Sequence, residues 1–189
     1  MPFIAIAGSP GAGKSTLLVE FALRGHEVVS DSAREVIAGR KARNLSPRPD
    51  PVEFAQEVYR RDLAKYRSAE GTNGLVFFER TAIESRAMLL DALRQAGRPA
   101  EVEAEELVFF DPVFVLPPWQ EIYRTDQERD HTFEHALWVH EQVLSCYRAH
   151  GYRVLEVPRC SPPERADYVL ASVANAPTNS QAPFVRKPR

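Results

Sequence analysis

Short apolar runs, separated by longer stretches with an apolar residue every three or four positions, set the layout of this chain. The runs fall at residues 3–7, 27–30, 75–78, 113–116 and 153–157. Strands alternating with helical segments are the pattern of a parallel sheet covered by helices. The expected fold class is therefore α/β, with a central parallel five-stranded sheet flanked by helices on both faces.

Local signals place several helices. Leu17, Leu18, Phe21 and Ala22 share one face directly after the first run. Asp50-Pro51-Val52-Glu53 supplies an N-cap, a proline at the first helical position and a glutamate three residues after the cap. A helix should start there, run through Phe54, Val58 and Tyr59 toward Tyr66, and give way at Asn73-Gly74 before the third strand. A later helix is predicted to carry Phe133, Leu137, Val143, Leu144 and Tyr147 on one buried stripe and to stop near Gly151. Residues 175–189 combine Pro177, Pro183 and Pro188 with polar side chains and have little to bury. The reading is one domain over residues 1–174 and a flexible tail over 175–189.

With 189 residues, 44% of them hydrophobic, the chain is long enough for a single compact core. Its 24 basic and 26 acidic residues leave a formal net charge of −2. No overall field recruits nucleic acid or an anionic membrane, so partners must be recognised locally. Cys146 and Cys160 have the spacing of neither a zinc site nor a disulfide framework. No apolar run approaches the roughly 18 residues of a membrane span, and the first strand leaves no room for a signal peptide, which points to a cytoplasmic protein.

The segment between the first run and its helix changes the picture from fold to chemistry. It reads Gly8-Ser9-Pro10-Gly11-Ala12-Gly13-Lys14-Ser15-Thr16, the P-loop pattern G-x-x-x-x-G-K-[ST] in its strand-to-helix context. Glycines let consecutive backbone N–H groups turn around a phosphate, and the helix that follows adds the positive end of its dipole. Lys14 is placed to reach the β and γ phosphates, and the Ser15 hydroxyl to ligate Mg²⁺. All nine residues are expected to contact the nucleotide.

Phosphoryl transfer also needs a carboxylate to order the metal, a positive group on the transferring phosphoryl and a group that activates the nucleophile. The third strand runs into Glu79-Arg80 at its carboxyl edge, where ligands of open α/β sheets bind. Glu79 is the candidate for Mg²⁺ or its waters, with an N-cap or salt-bridge role as the alternative. Arg80 is the candidate for holding a phosphate bidentately, or else for pairing with a carboxylate. Asp31 follows the second strand and could accept a hydroxyl proton, cap a helix over residues 32–39, or do both. Pro117-Pro118-Trp119 leads into a polar stretch over 121–133 in which Arg124 and Arg129 read as lid arginines, the competing reading being a charged surface loop. His131, His135 and His140 lack the glutamate that a zinc pair of H-E-x-x-H type requires. Trp119, Tyr123 and Arg159 are weighed against a nucleotide base and set aside as surface or core filling.

These blocks resemble the P-loop domain family typified by the ribosylnicotinamide kinase domain of the bacterial regulator NadR, often described only as an AAA or predicted ATPase domain. The resemblance spans roughly residues 1–172 and rests on the loop at 8–16, on 29–37, on 76–80, and on Leu116-Pro117-Pro118-Trp119 leading to 134–141. Asp31 and Glu79-Arg80-Thr81 are also similar to deoxynucleoside kinases, in which a carboxylate after the second strand is the base and Glu-Arg-Ser after the third serves metal and phosphate. Here Asp stands for the more usual Glu, and Thr for Ser.

The resemblance implies ATP and Mg²⁺ as cofactors and phosphoryl transfer to a small hydroxyl acceptor, nucleoside-like or ribosyl. Lys14, Asp31, Arg80, Arg124 and Arg129 would be catalytic, and Ser15 and Glu79 would hold the metal. A regulatory ATPase or nucleotide-dependent switch is the alternative. The chain has no D-x-x-G or N-K-x-D segment of a GTPase and no acidic pair at the third strand of a mechanical AAA motor.

Overall fold

The structure, a computed structural model, describes residues 2–46, 49–103, 105–123 and 132–176. Five strands form one parallel sheet: β1 (Phe3–Gly8), β2 (Glu27–Val29), β3 (Val76–Glu79), β4 (Val113–Leu116) and β5 (Val154–Glu156), in the order β2-β3-β1-β4-β5. The five predicted strands all appear, each within about two residues of its expected ends. Six helices connect and follow them: α1 (Lys14–Leu23), α2 (Ser32–Ala42), α3 (Pro51–Ala69), α4 (Ala82–Gln95), α5 (Phe133–Ala149) and α6 (Pro162–Ala174).

Strand alternation divides the core in two. Phe3, Ala5 and Ala7 of β1 point to one face, with Val76, Phe78, Val113 and Val115, and pack against α3, α4 and α5. Ile4 and Ile6 point to the other, with Phe77, Phe114 and Leu116, beneath α1 and α6. Each buried Ile or Phe removes enough apolar surface to contribute about 1.5–3 kcal/mol, which is why these continuous apolar runs become central strands. On the α1 side Phe21 stacks on Phe77 at 3.8 Å between ring centroids. On the other, Phe3 meets Tyr66 edge-on at 5.0 Å.

Helix starts follow the signals in the chain. Asp50 caps α3 by accepting from the N–H groups of Val52 at 2.9 Å and Glu53 at 3.3 Å. The α5 stripe differs from the prediction: Ala136, His140, Val143 and Tyr147 are buried, whereas Leu137 is 47% exposed. Leu137 lies one position past Ala136 and so faces outward, next to Trp138. The apolar pattern of α5 is wider than its buried face, and a period of 3.6 alone does not say which edge is covered.

The sheet order places the site. β1 has β3 on one side and β4 on the other, so the chain departs from it in opposite directions and leaves a crevice at the carboxyl ends. Register sets Glu79 opposite Ile6 and Leu116 opposite Gly8, bringing the ends of β3 and β4 up to the loop after β1. No helix among the described residues is long and apolar enough to cross a membrane. The predicted tail from residue 177 onward lies outside the described residues.

Candidate functional site

The glycine-rich loop is shaped by backbone that only glycine adopts easily. Gly8, Gly11 and Gly13 have φ of 128°, 80° and 89°. A Cβ on Gly8 would run into the backbone carbonyl oxygen of Leu116, so β1 and β4 approach as they do because no side chain is present. Gly8→Ala therefore combines an unfavourable φ with a backbone clash. It is expected to destabilise the fold by about 3 kcal/mol or more, read as a lowered urea midpoint; a midpoint equal to that of the parent would show that the loop yields freely.

Lys14 opens α1, is 5% exposed, and folds back to donate to the carbonyls of Gly8 at 3.1 Å and Ser9 at 2.9 Å. Burial lowers its pKa, with Arg80 acting in the same direction and the carboxylates of Glu79, Asp31 and Glu84 opposing. Ser15 Oγ donates to Glu79 Oε1 at 2.9 Å, joining α1 to the end of β3. Asp31 Oδ1 accepts from the N–H of Ala33 at 2.8 Å and so caps α2, leaving Oδ2 3.4 Å from Arg80 Nε. The capping role weighed for Asp31 is thus present, and one oxygen remains on the site.

Arg80 stands where β3 ends, with φ of 65°, an unusual conformation for a side-chain-bearing residue. Its N–H donates to the Ile6 carbonyl at 3.1 Å, which ties the turn to β1. The guanidinium lies between two carboxylates, Asp31 on one side and Glu84, with Oε2 3.9 Å from Nη1, on the other. Neither contact has hydrogen-bond geometry: Arg80 Nε and Glu84 Oε2 are buried without a hydrogen-bond partner among the described residues.

One side chain that the sequence pattern did not single out, Glu84, enters here. Glu84 accepts from the Tyr147 hydroxyl at 2.7 Å, and that hydroxyl also pairs with Thr81 Oγ1 at 2.9 Å, so α4 and α5 meet behind Arg80. Burial pushes the Glu84 carboxyl up despite the nearby Arg80 guanidinium. A carboxylate whose folded pKa is raised costs stability once ionised, and the cost sets in as pH rises above its ordinary value of 4.5. Glu84→Gln is therefore expected to unfold at higher urea than the parent at about pH 8 and to lose that advantage at about pH 4; a constant difference between the two conditions would remove burial as its cause.

Arg165 of α6 is 4% exposed, donates to the carbonyl of Ala12 at 3.2 Å and of Cys160 at 2.8 Å, and lies 4.9 Å from the centre of the Trp119 ring. It reaches the loop from α6, on the same face of the sheet as α1, and the absence of a Cβ at Gly13, which would stand 2.8 Å from Nη1, makes room for it. Trp119, Ile122 and the start of α6 then wall a cleft of about 470 Å³ over Gly11, Gly13, Lys14, Ser15 and Thr16, with Arg34 and Glu79 at its rim. That volume is in the range of sites for nucleotide-sized ligands. Tyr123 closes over Gly11, and Arg159 instead bonds the Pro118 carbonyl at 3.0 Å. Arg124, Arg129 and His131 lie outside the described residues. Cys160 lines the cleft, while the Cys146 thiol is pushed up to about 12 by burial.

The arrangement can bind a polyphosphate on the loop with one hydroxyl and one carboxylate beside it, and can bring an acid and a guanidinium to the same edge. The family model of an AAA domain matches residues 3–165. No curated protein sequence matches this chain. Among solved structures, deoxyadenosine kinase from M. mycoides with bound dATP is similar, with a TM-score of 0.61, 15% identity, and coverage of 92% of this chain and 100% of that one. Thymidylate kinase from Candida albicans is similar at a TM-score of 0.65 and 11% identity, covering 97% of this chain and 98% of that one. NadR protein in complex with NR is similar at a TM-score of 0.56 and 16% identity, covering 91% of this chain and 50% of that one. With its loop, its sheet order and this match, the chain belongs to the AAA domain family, as a P-loop protein of kinase-like α/β fold.

Proposed function

We propose that this protein transfers the γ-phosphoryl group of ATP to a hydroxyl of a small acceptor, nucleoside-like or ribosyl. The observation that carries the proposal is the half-buried Arg80 at the end of β3, set between the buried carboxylates of Asp31 and Glu84 near Lys14, with Arg80 Nε and Glu84 Oε2 lacking hydrogen bonds among the described residues. A module that only binds a nucleotide has no need of a guanidinium held between two carboxylates there with hydrogen-bonding atoms to spare. Similar structures include a deoxyadenosine kinase with bound dATP and NadR in complex with NR, which agrees with an acceptor of this class.

Mg²⁺ suits the residues present, since this ion takes one or two protein oxygens and completes its shell with water and phosphate. Ser15 Oγ and Glu79 Oε1, 2.9 Å apart, are such a pair. When bound, the ion neutralises charge on the β and γ phosphate oxygens. The loop N–H groups hold those phosphates, and Lys14 turns from the carbonyls of Gly8 and Ser9 toward them. Arg80 stabilises charge on the transferring group. The acceptor oxygen forms its bond to the γ-phosphorus as the bond from that phosphorus to the β–γ bridging oxygen breaks. The hydroxyl proton passes to Asp31, and ADP leaves.

Turnover of ATP with Mg²⁺ against a panel of nucleosides, ribosylnicotinamide and related alcohols tests this reading. Acceptor-dependent ADP with a matching phosphorylated product is the expected result. Slow release of ADP and free phosphate regardless of acceptor would overturn it in favour of a regulatory ATPase.

A further inference from the structure

The sheet order sorts the charged groups around the phosphate loop to two sides of β1. Asp31, Glu79 and Arg80 follow β2 and β3 on one side, whereas Trp119 and Arg165 follow β4 and β5 on the other. The groups that would act on the transferring phosphoryl all stand on the first side. A triphosphate lying in the loop with its γ end at Arg80 and Asp31 therefore directs its α end and its nucleoside toward the second. There the cleft is walled by Trp119, Ile122, Cys160, Ser161, Pro162 and Arg165. Among the described residues that line this wall, Arg165 alone is charged.

This guanidinium is buried, and the groups that hold it carry no charge. Nε donates to the Cys160 carbonyl at 2.8 Å, Nη1 donates to the Ala12 carbonyl at 3.2 Å, and Cζ lies 4.9 Å from the centre of the Trp119 ring. Arg165 forms no ion pair among the described residues. The acids closest to it on α6 are engaged elsewhere: Glu164 accepts from Ser161 N–H at 2.9 Å and Oγ at 2.6 Å, and Asp167 accepts from Arg24 at 2.6 Å. An arginine that serves only to join α1 to α6 takes another form in this protein, since Arg24 closes on the carboxylates of Glu20 and Asp167. A buried charge without a counter-charge is unfavourable, and a guanidinium has more N–H donors than two carbonyls use. Nη2 donates to no described residue and is not sealed from solvent, on a side chain that lines the cleft. Arg165 thus has both charge and donors to offer an anion lying over the loop.

We propose that Arg165 binds the α-phosphate of the nucleotide and, as its counter-charge, sets the direction in which the phosphoryl donor lies. The α-phosphate keeps its charge throughout the transfer, so this contact is as strong in the ground state as in the transition state. It acts on nucleotide affinity and not on the rate of the bound complex. The proposal rests on the kinase reading above for the orientation of the triphosphate and adds a residue to its binding site.

The test measures calorimetric binding of a non-hydrolysable ATP analogue, ADP and inorganic tripolyphosphate, each with Mg²⁺, to the full chain as parent, Arg165→Gln and Arg165→Lys. Glutamine keeps a donor for the carbonyls without the charge, and lysine keeps the charge without the planar fork. Arg165→Gln is expected to weaken all three ligands by roughly tenfold or more, and Arg165→Lys to stay within about threefold of the parent. Affinity kept by Arg165→Gln and lost by Arg165→Lys would assign the residue to the shape of the loop and overturn the proposal, as would parent affinity in both variants. A weakened ATP analogue beside unchanged ADP would move the contact to the γ-phosphate, and weakened nucleotides beside unchanged tripolyphosphate would move it to the ribose or base; either result overturns the assignment. In turnover, the loss in Arg165→Gln should appear in KM for ATP and not in kcat. Nucleotides that bind through Arg165 with no acceptor ever phosphorylated would leave this proposal standing and refute the kinase.

Discussion

Lys14→Met is expected to lower ATP-dependent turnover by about 10³-fold or more while leaving the stability of the fold within about 1 kcal/mol of the parent. The two halves of this expectation have different causes. A lysine at this place is the one side chain of the loop that can follow charge from the β to the γ phosphate, and methionine keeps its length without its charge. In the nucleotide-free protein that same charge is buried and its pKa is lowered by burial. A cation whose folded pKa is depressed costs stability at every pH below that value, and the cost disappears only as the pH approaches the ordinary 10.5. Against this, methionine loses two hydrogen bonds, to the carbonyls of Gly8 and Ser9, each contributing about 1 kcal/mol. The two effects act in opposite directions. A turnover assay and a urea titration on the same sample check both halves, and calorimetric binding of Mg·ATP equal to the parent would remove Lys14 from the phosphate site.

A single sequence reveals the parts of such a site that answer local needs. The loop from Gly8 to Thr16 is legible because each residue type answers a local need: φ values that favour glycine, a donor lysine, a hydroxyl at the helix start. The strands are legible because burial on both faces forces continuous apolar runs, and α3 because Asp50 and Pro51 mark its first turn. Glu79 is legible as the end of the third run, and the structure sets it on Ser15.

What is not legible depends on pairs distant in sequence. Arg165 meets the Ala12 carbonyl from the far end of the chain, and its start signal, Ser161 with Glu164 in a capping box, announces a helix but not a neighbour. Glu84 reads as an ordinary first-turn acid of α4 until Tyr147 is brought to it by α5. Leu137 shows the opposite failure, an apolar residue on a helical stripe that remains exposed because no element among the described residues covers that edge.

Asp31 carries the second large expectation, and the structure makes it separable. Its Oδ1 caps α2 while Oδ2 faces Arg80. Asparagine caps helices as well as aspartate does, so Asp31→Asn should keep the urea midpoint, whereas Asp31→Ala should lose about 1 kcal/mol. The neutral amide cannot take up a hydroxyl proton, so both variants should lose phosphoryl transfer by about 10²–10⁴-fold. Binding of Mg·ATP should stay within about threefold of the parent in Asp31→Asn, because Arg80 keeps Glu84 on its other side and the loop is untouched. Transfer, binding and stability measured on the two variants distinguish the roles. If transfer follows the lost charge, the two variants fail alike; if it follows the cap, only Asp31→Ala fails. Transfer retained in Asp31→Asn would leave the carboxylate as a helix cap and a counter-charge, and the proton would have to leave the acceptor by another route.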